Sequence, residues 1–266
     1  MQAHKDDLKL LTDAARASAE IAKGFFKSDP QVWDKDDDAG PVTEADLAID
    51  TMLKQTLQAA RPTYGWLSEE TEDDTARLSC DRVFIVDPID GTKSFVRGYP
   101  FFSTQIALMK GNEFIVGVSN APGFKEMTYA EKGYGAWLNG EQIVVGDIAE
   151  LNQATLSLGN IASIAGKPQW QTIGGLIQEV HRIRGYGDFY HYHLLASGKI
   201  DIVIESDVNI LDIAALSVIV NEAGGHFTDL SGAQLTLDTT SVLACNLTTT
   251  HQQLVERLNY VNLGLT

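Results

Sequence analysis

The sequence has few cysteines, few basic side chains and no long apolar segment. Its two cysteines, Cys80 and Cys245, match no metal-ligand spacing, and we expect both to be reduced thiols in a reducing compartment. Lysine and arginine number 20 against 36 aspartates and glutamates, which gives a formal net charge of −16. This excess of negative charge argues against a nucleic acid or an anionic membrane as a partner. No apolar segment approaches the length that a membrane-spanning helix needs.

The first residues also lack the order of a signal peptide, because Met1–Asp7 contains no basic stretch followed by an apolar one. We therefore expect a cytoplasmic protein. Hydrophobic residues make up 44% of the chain and charged residues 21%, as in an ordinary globular protein. A length of 266 residues can bury a large core. We interpret the acidic residues Asp34 and Asp36–Asp38 as a solvated loop, with a weak cation site as the alternative.

Hydrophobic periodicity in the first half of the chain predicts two helices followed by strands. The helices cover the first thirty residues and the segment from Thr43, a favourable N-cap, to about Arg61. From Tyr64 to Val145 the pattern changes to short strands separated by turn signals. Residues 1–146 are therefore predicted to form an N-terminal α+β half with an antiparallel sheet.

The second half of the chain, residues 147–266, alternates between strand and helix patterns. Helices are predicted near Gln169–Val180, Phe189–Ala196 and Asp212–Glu222, and Gly224-Gly225 ends the last of them as a C-cap. Such alternation is typical of an α/β layer.

The most informative segment is Asp87–Thr92, which reads Asp-Pro-Ile-Asp-Gly-Thr and directly follows the apolar strand Val83–Val86. Two carboxylates about 4 Å apart repel by roughly 4 kcal/mol at an effective dielectric constant near 20. A cation that prefers oxygen ligands, such as Mg²⁺, would relieve this repulsion. The backbone N–H groups of Gly91 and Thr92 suit a phosphate. The alternative, on this segment alone, is a tight turn with solvated acids.

Other acidic residues recur at the ends of strands and the starts of helices. Glu69 and Glu70 follow a short strand, Asp46 lies in the first turn of the second helix, and Asp212 lies at or near the start of an apolar helix. Helix capping and dipole compensation would by themselves explain Asp46 and Asp212. A functional role for them needs further support.

Four segments, in this order, resemble the inositol monophosphatase superfamily of metal-dependent phosphomonoesterases. They are Pro41–Asp46, Ser68–Glu70, Asp87–Thr92, and Asp212–Ala215 followed by Glu222–Gly225. Each segment alone is only suggestive, but their joint occurrence is specific, and the similarity spans nearly the whole chain. The chain departs from the family pattern at Leu211, where the family usually has tryptophan.

The resemblance implies a layered α/β/α/β/α sandwich, the inositol monophosphatase-like sugar-phosphatase fold, assembled as a homodimer. It also implies a small phosphorylated metabolite as substrate and two or three Mg²⁺ ions per site, with Li⁺ as a competitor. One ion is expected on Glu69, Asp87 and the backbone carbonyl of Ile89. A second is expected on Asp87, Asp90 and Asp212, so the N-terminal half holds most of the metal ligands and the C-terminal half supplies Asp212.

The same resemblance assigns the catalytic residues. Asp46 and Thr92 are expected to orient the attacking water as a carboxylate–hydroxyl pair, with Glu70 close by. The N–H groups of Gly91 and Thr92 are expected to bind the phosphate. A metal ion would activate the water, so no nucleophilic serine or cysteine is needed.

Two further segments are more similar to the histidinol-phosphatase branch of the superfamily. Gly187-Asp188 stands where many inositol monophosphatases carry a small residue such as serine, and Lys93–Phe95 follows the aspartate turn. Histidinol phosphate carries an ammonium and a titratable imidazole, whereas inositol phosphate presents only hydroxyls. Asp188 and Glu205 near the leaving group would favour such a cation. Glu205 also suits an inositol ring, and the alternative for Asp188 is to cap the helix that begins near Phe189.

Two other pairs of residues near these segments have less specific interpretations. Arg184 and Lys93 have two open interpretations: they bind a second phosphate or steer the anionic substrate, with Arg184 assigned to substrate binding, or they are simple surface charges, which is the more common case for such residues. His191 and His193 are two residues apart, so they do not share a helix face, and no His-Glu-x-x-His motif is present. We expect them to line a pocket wall or lie at the surface rather than bind zinc.

The sequence therefore predicts a Mg²⁺-dependent phosphomonoesterase, a histidinol-phosphatase of histidine biosynthesis that uses a metal-activated water. The alternatives are inositol-1-monophosphatase and then nucleotide 3′-phosphatase or fructose-1,6-bisphosphatase. A catalytically silent regulatory binding protein with the same fold is the alternative from a different functional class.

Overall fold

The computed structural model describes residues 2–28, 31–34 and 41–259. Of the predicted acidic loop, Asp36–Asp38 lies outside these residues, whereas Asp34 is the last residue of a strand, so its assignment to a loop is wrong. The described helices are α1 Gln2–Phe25, α2 Glu44–Ala60, α3 Thr92–Val96, α4 Ile161–Ala165, α5 Trp170–Glu179, α6 Tyr190–Ala196, α7 Ile210–Glu222 and α8 Thr248–Leu258. Short 3₁₀ helices cover Thr75–Ser79 and Leu151–Gln153.

The described strands are β1 Val32–Asp34, β2 Pro41–Thr43, β3 Gly65–Ser68, β4 Arg82–Asp90, β5 Ser103–Lys110, β6 Glu113–Ala121, β7 Glu126–Glu131, β8 Ala136–Leu138, β9 Glu141–Ile143, β10 Thr155–Leu158, β11 Arg182–Arg184, β12 Ile202–Ser206, β13 His226–Thr228 and β14 Ser241–Cys245. β1 and β2 pair with each other in an antiparallel ladder. The predicted helix after Thr43 is confirmed, since Thr43 is the N-cap of α2 and Arg61 follows its last residue.

The chain divides into two compact units. The first comprises Met1–Glu141 together with Leu211–Ile219, and the second comprises Gln142–Ile210 together with Val220–Thr266. The prediction that residue 146 ends one domain and that a second domain follows it stays a prediction.

The first unit is built on a seven-stranded sheet in the order β3-β4-β5-β6-β7-β8-β9. β3 and β4 are parallel, which departs from the fully antiparallel sheet expected, whereas β4 to β8 pair antiparallel in sequence order. α1 and α2 pack against each other and against the sheet. Their apolar faces bury a core that includes Leu11, Ile49, Leu53, Phe84 and Leu108. Each such side chain contributes about 1.5–3 kcal/mol when it leaves water.

A buried ion pair adds to this core. Asp7 of α1 accepts a hydrogen bond from Nε of Arg61 at 2.7 Å and another from Nη1 of Arg82 at 2.9 Å. Asp7 therefore ties α1 to the end of α2 and to the start of β4.

Helix α7 reaches the first unit through Leu211–Ile219 and lies close to β6. A Cβ atom at Gly117 of β6 would lie 2.2 Å from the carbonyl oxygen of Ala215. Only glycine permits this approach of a helix to a strand. Leu211, the departure from the family pattern, is buried and so fills an apolar position.

The second unit is built on a five-stranded sheet in the order β11-β10-β12-β14-β13. β10 pairs parallel with both β11 and β12, and β14 pairs antiparallel with β12 and β13. Leu156, Ile204, Leu243 and Leu254 are among its fully buried core residues. The mixed sheets and their helices confirm the predicted layered α/β class. None of the described helices combines the length and the apolar character of a membrane span.

Candidate active site

Three carboxylates of the first unit form a compact acidic cluster. Asp87 lies near the end of β4, Glu69 follows β3, and Asp212 lies in the first turn of α7. One oxygen atom of each lies within 4.8 Å of an oxygen atom of each of the others. Asp87 is 1% exposed, and the other two side chains are half-buried. The structure thus brings together three of the four carboxylates expected to bind metal.

The pairing of β3 with β4 places Glu69 beside Asp87. Ser68 lies opposite Val86 in this parallel ladder, and the N–H of Glu69 donates to the carbonyl of Val86 at 3.2 Å. The carboxyl ends of parallel strands meet at the same edge of a sheet, where ligand sites of α/β proteins are usually found. Ser68 and Val86 are the last paired residues, and the residue that follows each of them, Glu69 or Asp87, is an acid at that edge.

A β-bulge shapes the turn between the two aspartates of β4. Pro88 and Ile89 lie opposite a single residue of β5, Thr104, so the ladder is irregular between Asp87 and Asp90. The Thr104 hydroxyl donates to the carbonyl of Pro88 at 2.9 Å, and the N–H of Ile89 donates to Oδ1 of Asp87 at 3.0 Å. Proline is tolerated in a strand at such a bulge because no ladder N–H is needed there.

Asp90, the fourth predicted ligand, is buried and connected to a polar network below the bulge. Its Oδ2 accepts a long hydrogen bond of 3.4 Å from the hydroxyl of Ser103. Nε2 of Gln105 donates to Oγ of Ser103 at 2.7 Å and to Oγ of Ser119 at 3.0 Å. Such outer hydrogen bonds orient a ligand carboxylate and are part of most metal sites.

The electrostatics of the cluster fit a divalent cation. Burial raises the pKa of Asp87 well above its usual range, and the negative charges of Glu69, Asp212 and Asp90 raise it further. Several carboxylates cannot all be ionised at this separation in a buried site without a compensating positive charge. Because every donor is a hard oxygen, the cluster suits Mg²⁺ rather than a thiolate- or imidazole-preferring metal.

Asp46 both caps α2 and contacts Thr92. Its Oδ2 accepts hydrogen bonds from the backbone N–H of Thr43, at 2.8 Å, and from the Thr43 hydroxyl. Its Oδ1 lies 3.2 Å from the hydroxyl of Thr92. Burial raises the pKa of Asp46, while the bonds from Thr43 and Thr92 act to lower it. Capping and the predicted pairing with Thr92 are therefore both present.

The Thr92 hydroxyl also lies 2.8 Å from the carbonyl oxygen of Ile89, the predicted backbone ligand. A single hydroxyl proton serves only one of its two acceptors at a time. Gly91 precedes it with φ +85°, and a Cβ atom there would lie 2.4 Å from the carbonyl oxygen of Phe101. Glycine is thus required at the start of α3, where the predicted phosphate-binding N–H groups lie. Glu70 is half-buried in the bend after β3.

A second cluster lies in the other unit around the buried carboxylate of Glu205. Its Oε2 accepts a hydrogen bond from the Tyr192 hydroxyl at 2.7 Å and contacts Nε2 of His191 at 3.1 Å. Nδ1 of His191 lies 3.3 Å from the hydroxyl of Ser157, and that oxygen accepts the N–H of Tyr186 at 3.3 Å. His191 thus connects the carboxylate of Glu205 on β12 to Ser157 on β10.

The other oxygen of Glu205 lies directly over Gly159. A Cβ atom at residue 159 would lie 2.0 Å from Oε1 of Glu205, so a side chain there would displace the carboxylate. Two donors on one oxygen and a glycine beneath the other fix Glu205 in one position. His191 is fully buried, as is His193, so neither histidine lies at the surface, contrary to one of the two expectations for them.

Asp188 lies near Glu205 with its side chain exposed to solvent. Its backbone is left-handed, with φ +46°, a conformation that aspartate and asparagine tolerate better than most residues. Partial desolvation and then the charge of Glu205 raise the pKa of Asp188 to about 6, while His191 lowers it. The alternative of a helix cap is wrong, because α6 begins at Tyr190 with Phe189 as its N-cap residue.

The predicted basic residues are on the surface. Arg184 ends β11, and its Nη1 donates to the carbonyl of Ile183 at 2.7 Å. Lys93, in α3, is also exposed. Their roles toward substrate stay predictions.

The sequence analysis did not predict the contacts of Asp50 with Ser68 and Thr71, nor those of His191 and Tyr192 with Glu205. Asp50 follows Asp46 by one helical turn and shares the buried face of α2 with Ile49 and Leu53. The position of this carboxylate among apolar residues on one helix face could have indicated a buried polar contact. No periodicity marks the contact of His191 or Tyr192 with Glu205, because that contact crosses from α6 to β12.

A family profile and curated relatives match nearly the whole chain. The profile described as inositol monophosphatase family matches residues 5–262. A histidinol-phosphatase of Mycobacterium tuberculosis is 37% identical over 259 residues, covering 96% of this chain and 98% of the relative. An inositol-1-monophosphatase of Rhizobium meliloti is 33% identical over 208 residues, covering 77% of this chain and 78% of the relative.

Solved structures also match over nearly the whole chain. An IMPase from Thermotoga maritima superposes with a TM-score of 0.84 at 30% identity, covering 96% of this chain and 97% of that one. An inositol monophosphatase from Zymomonas mobilis superposes with a TM-score of 0.83 at 28% identity, covering 97% and 99%. The predicted fold is thereby confirmed.

Proposed function

The chain belongs to the inositol monophosphatase family of phosphomonoester hydrolases, and from this premise we propose that it is a Mg²⁺-dependent histidinol-phosphatase. It would convert L-histidinol phosphate and water into L-histidinol and phosphate. The observation that carries this substrate is the pair of neighbouring carboxylates Asp188 and Glu205: desolvation and then the charge of Glu205 raise the pKa of Asp188. Relatives named histidinol-phosphatase at 32–37% identity support the same choice.

Glu69, Asp87, Asp90 and Asp212, with the carbonyl of Ile89, would hold two or three Mg²⁺ ions. Bound Mg²⁺ supplies positive charge that neutralises the phosphoryl oxygens and eases deprotonation of water.

Asp46 and Thr92 orient the attacking water in this proposal. When the Thr92 hydroxyl donates to Oδ1 of Asp46, its oxygen lone pairs are free to accept a hydrogen bond from water. Asp46 is held by Thr43, so the pair is preorganised. Glu70 is proposed to assist nearby. The N–H groups of Gly91 and Thr92 bind the phosphate. The water oxygen forms a bond to phosphorus as the bond from phosphorus to the ester oxygen breaks; the water gives up a proton, and the leaving oxygen takes up a proton to become the alcohol.

Asp188 and Glu205 would select the leaving group by its positive charge. The carboxylate of Glu205 is fixed in position because His191 and Tyr192 hold it. Charge-assisted hydrogen bonds to an ammonium or imidazolium are roughly twice as strong as neutral ones, so a cationic leaving group gains most. Arg184 would attract the phosphate of an incoming substrate. Separately, family membership leads us to propose that the protein is a homodimer.

Inositol-1-monophosphatase is the second candidate. A relative of that name is 33% identical, and a fixed carboxylate such as Glu205 also accepts hydrogen bonds from sugar-like hydroxyls.

A substrate panel tests the proposal. Phosphate release is measured with L-histidinol phosphate, inositol 1-phosphate, 3′-AMP and fructose 1,6-bisphosphate, each with Mg²⁺ and with EDTA. We expect the highest kcat/KM with L-histidinol phosphate and no release with EDTA. A higher kcat/KM with inositol 1-phosphate rejects the substrate, and a full rate in EDTA rejects the metal dependence.

A further inference from the structure

Helix α2 carries a second buried carboxylate, Asp50, one turn beyond Asp46. Oδ1 of Asp50 accepts a hydrogen bond from the hydroxyl of Ser68, and Oδ2 accepts one of 2.6 Å from the hydroxyl of Thr71. Asp50 is 6% exposed; its bond with Ser68 is buried and its bond with Thr71 is partly buried.

The two donors stand on either side of Glu69 and Glu70. Ser68 is the last residue of β3 and is paired with Val86 of β4, whereas Thr71 lies beyond the strand in an irregular bend. The hydroxyl of Thr71 ties the far end of the bend to α2, as the sheet and Ser68 tie its start. Asp50 closes it from both sides with one carboxylate.

We infer that Asp50 is a positioning residue that holds Glu69 in place for metal binding. This inference rests on the proposed Mg²⁺ site. Glu69 lies within 4.8 Å of two other carboxylates, so the position of its bend decides whether the three can share one cation. A bend that is already held in place loses less conformational freedom when the metal binds, so the affinity is higher.

Asp50 also differs from the acids of the cluster in its partners. Its two carboxylate oxygens are each occupied by a hydroxyl donor of the bend, so it acts on the metal site through Ser68 and Thr71. The same helix thereby serves the site twice, through Asp46 at its first turn and Asp50 at its second.

The experiment changes the Thr71 hydroxyl and measures metal binding without substrate. Thr71→Val removes the hydroxyl at nearly constant shape and charge, and Thr71→Ser retains it. Asp50→Ala removes the acceptor. Asp7→Asn is the control, since Asp7 is a buried carboxylate of the same unit that pairs with Arg61 and Arg82. The dissociation constant of Mn²⁺, a Mg²⁺ substitute, is measured by electron paramagnetic resonance, and melting temperatures are measured in EDTA.

We expect Thr71→Val and Asp50→Ala to weaken Mn²⁺ binding at least about tenfold, the size usual for outer-shell partners. Thr71→Ser should bind Mn²⁺ with nearly the same dissociation constant as the unmodified chain. Asp7→Asn should lower the melting temperature in EDTA while leaving Mn²⁺ binding unchanged, which separates stability from positioning. Unchanged Mn²⁺ affinity in Thr71→Val and Asp50→Ala overturns this inference alone. An unmodified chain that binds no Mn²⁺ contradicts the proposed function as well.

Discussion

The hydroxyl of Tyr192 donates a 2.7 Å hydrogen bond to Oε2 of Glu205, and both side chains are buried. His191 contacts the same oxygen atom, so the carboxylate is held by two neighbours on one helix. In the proposed histidinol-phosphatase, Glu205 contacts a cationic leaving group. The precision with which Glu205 is held should therefore appear in the selectivity among substrates.

Tyr192→Phe tests this relationship by removing one hydroxyl. A hydrogen bond to a charged group contributes about 1.5–3 kcal/mol, so we expect kcat/KM for L-histidinol phosphate to fall at least about tenfold. Hydrolysis of p-nitrophenyl phosphate, which has no cation, should change far less. Tyr99→Phe removes an exposed hydroxyl and serves as the control. Equal losses on both substrates would remove Glu205 from leaving-group recognition.

The pH dependence tests the role of Asp188. Its carboxyl has a pKa of about 6, so it is charged above pH 6 and neutral well below it. We expect the KM of the unmodified chain for L-histidinol phosphate to fall as the pH rises through 6. Asp188→Asn keeps a residue that tolerates φ +46° and should lack this fall. The substrate also titrates in this range, so the KM of Asp188→Asn is divided by the KM of the unmodified chain at each pH. A ratio that stays constant with pH would contradict the role of Asp188 in binding the substrate.

The same shift predicts the effect of Asp188 on stability. A pKa raised from 3.8 to about 6 means that the folded chain binds this proton more tightly than the unfolded chain. The stability from protonated Asp188 is complete below pH 4 and is lost as the pH rises through 6. Asp188→Asn should therefore raise the melting temperature at pH 7.5 and leave it unchanged at pH 4. An equal change at both values would show that the charge is not responsible.

Thr92→Val tests the pairing of Thr92 with Asp46. Loss of the hydroxyl removes the group that positions the attacking water, so we expect kcat to fall about a hundredfold, within the range of general acid–base contributions. KM and Mn²⁺ binding should change little, because the backbone N–H groups remain. Thr92→Ser should restore most of the rate. If Mn²⁺ affinity falls with kcat, Thr92 acts through the metal site instead.

Asp90→Asn tests the assignment of the metal ligands. An amide in place of this carboxylate removes one negative charge from a site built to neutralise a cation. We expect turnover to be abolished and Mg²⁺ binding, measured by calorimetry, to weaken. The melting temperature without metal should stay the same or rise, since the repulsion on Asp87 is lower. Normal turnover by Asp90→Asn would contradict the two-metal assignment.

Local sequence patterns predicted the parts of the site that are adjacent in the chain. Asp87 and Asp90 end an apolar strand around a proline, and this arrangement forms the bulge that the structure shows. The capping of α2 by Thr43 also follows from residue types and spacing. Asp212 is different, because no local rule brings a helix start 125 residues away to the end of β4, and only the family resemblance placed it there.

The parts that escaped prediction depend on contacts between distant elements. Asp50 meets Ser68 and Thr71 only because α2 packs on the sheet that contains β3, against the neighbouring strand β4. Glu205 meets His191 only because α6 packs against β12. A polar residue at a buried position of an apolar helix face indicates that it has a hydrogen-bond partner. Its position in the sequence does not show which residue that partner is. The left-handed backbone at Asp188 was likewise not predicted from the sequence, although the preceding glycine is typical of a tight turn.

The most direct test of the account is a competition between two substrates in one reaction. Equal concentrations of L-histidinol phosphate and inositol 1-phosphate are mixed with the unmodified chain and Mg²⁺, and both are followed by ³¹P nuclear magnetic resonance. The ratio of initial rates equals the ratio of the two kcat/KM values. The account predicts that L-histidinol phosphate is consumed first, at least about tenfold faster, as expected for one charge-assisted contact. Equal consumption, or earlier loss of inositol 1-phosphate, would contradict it.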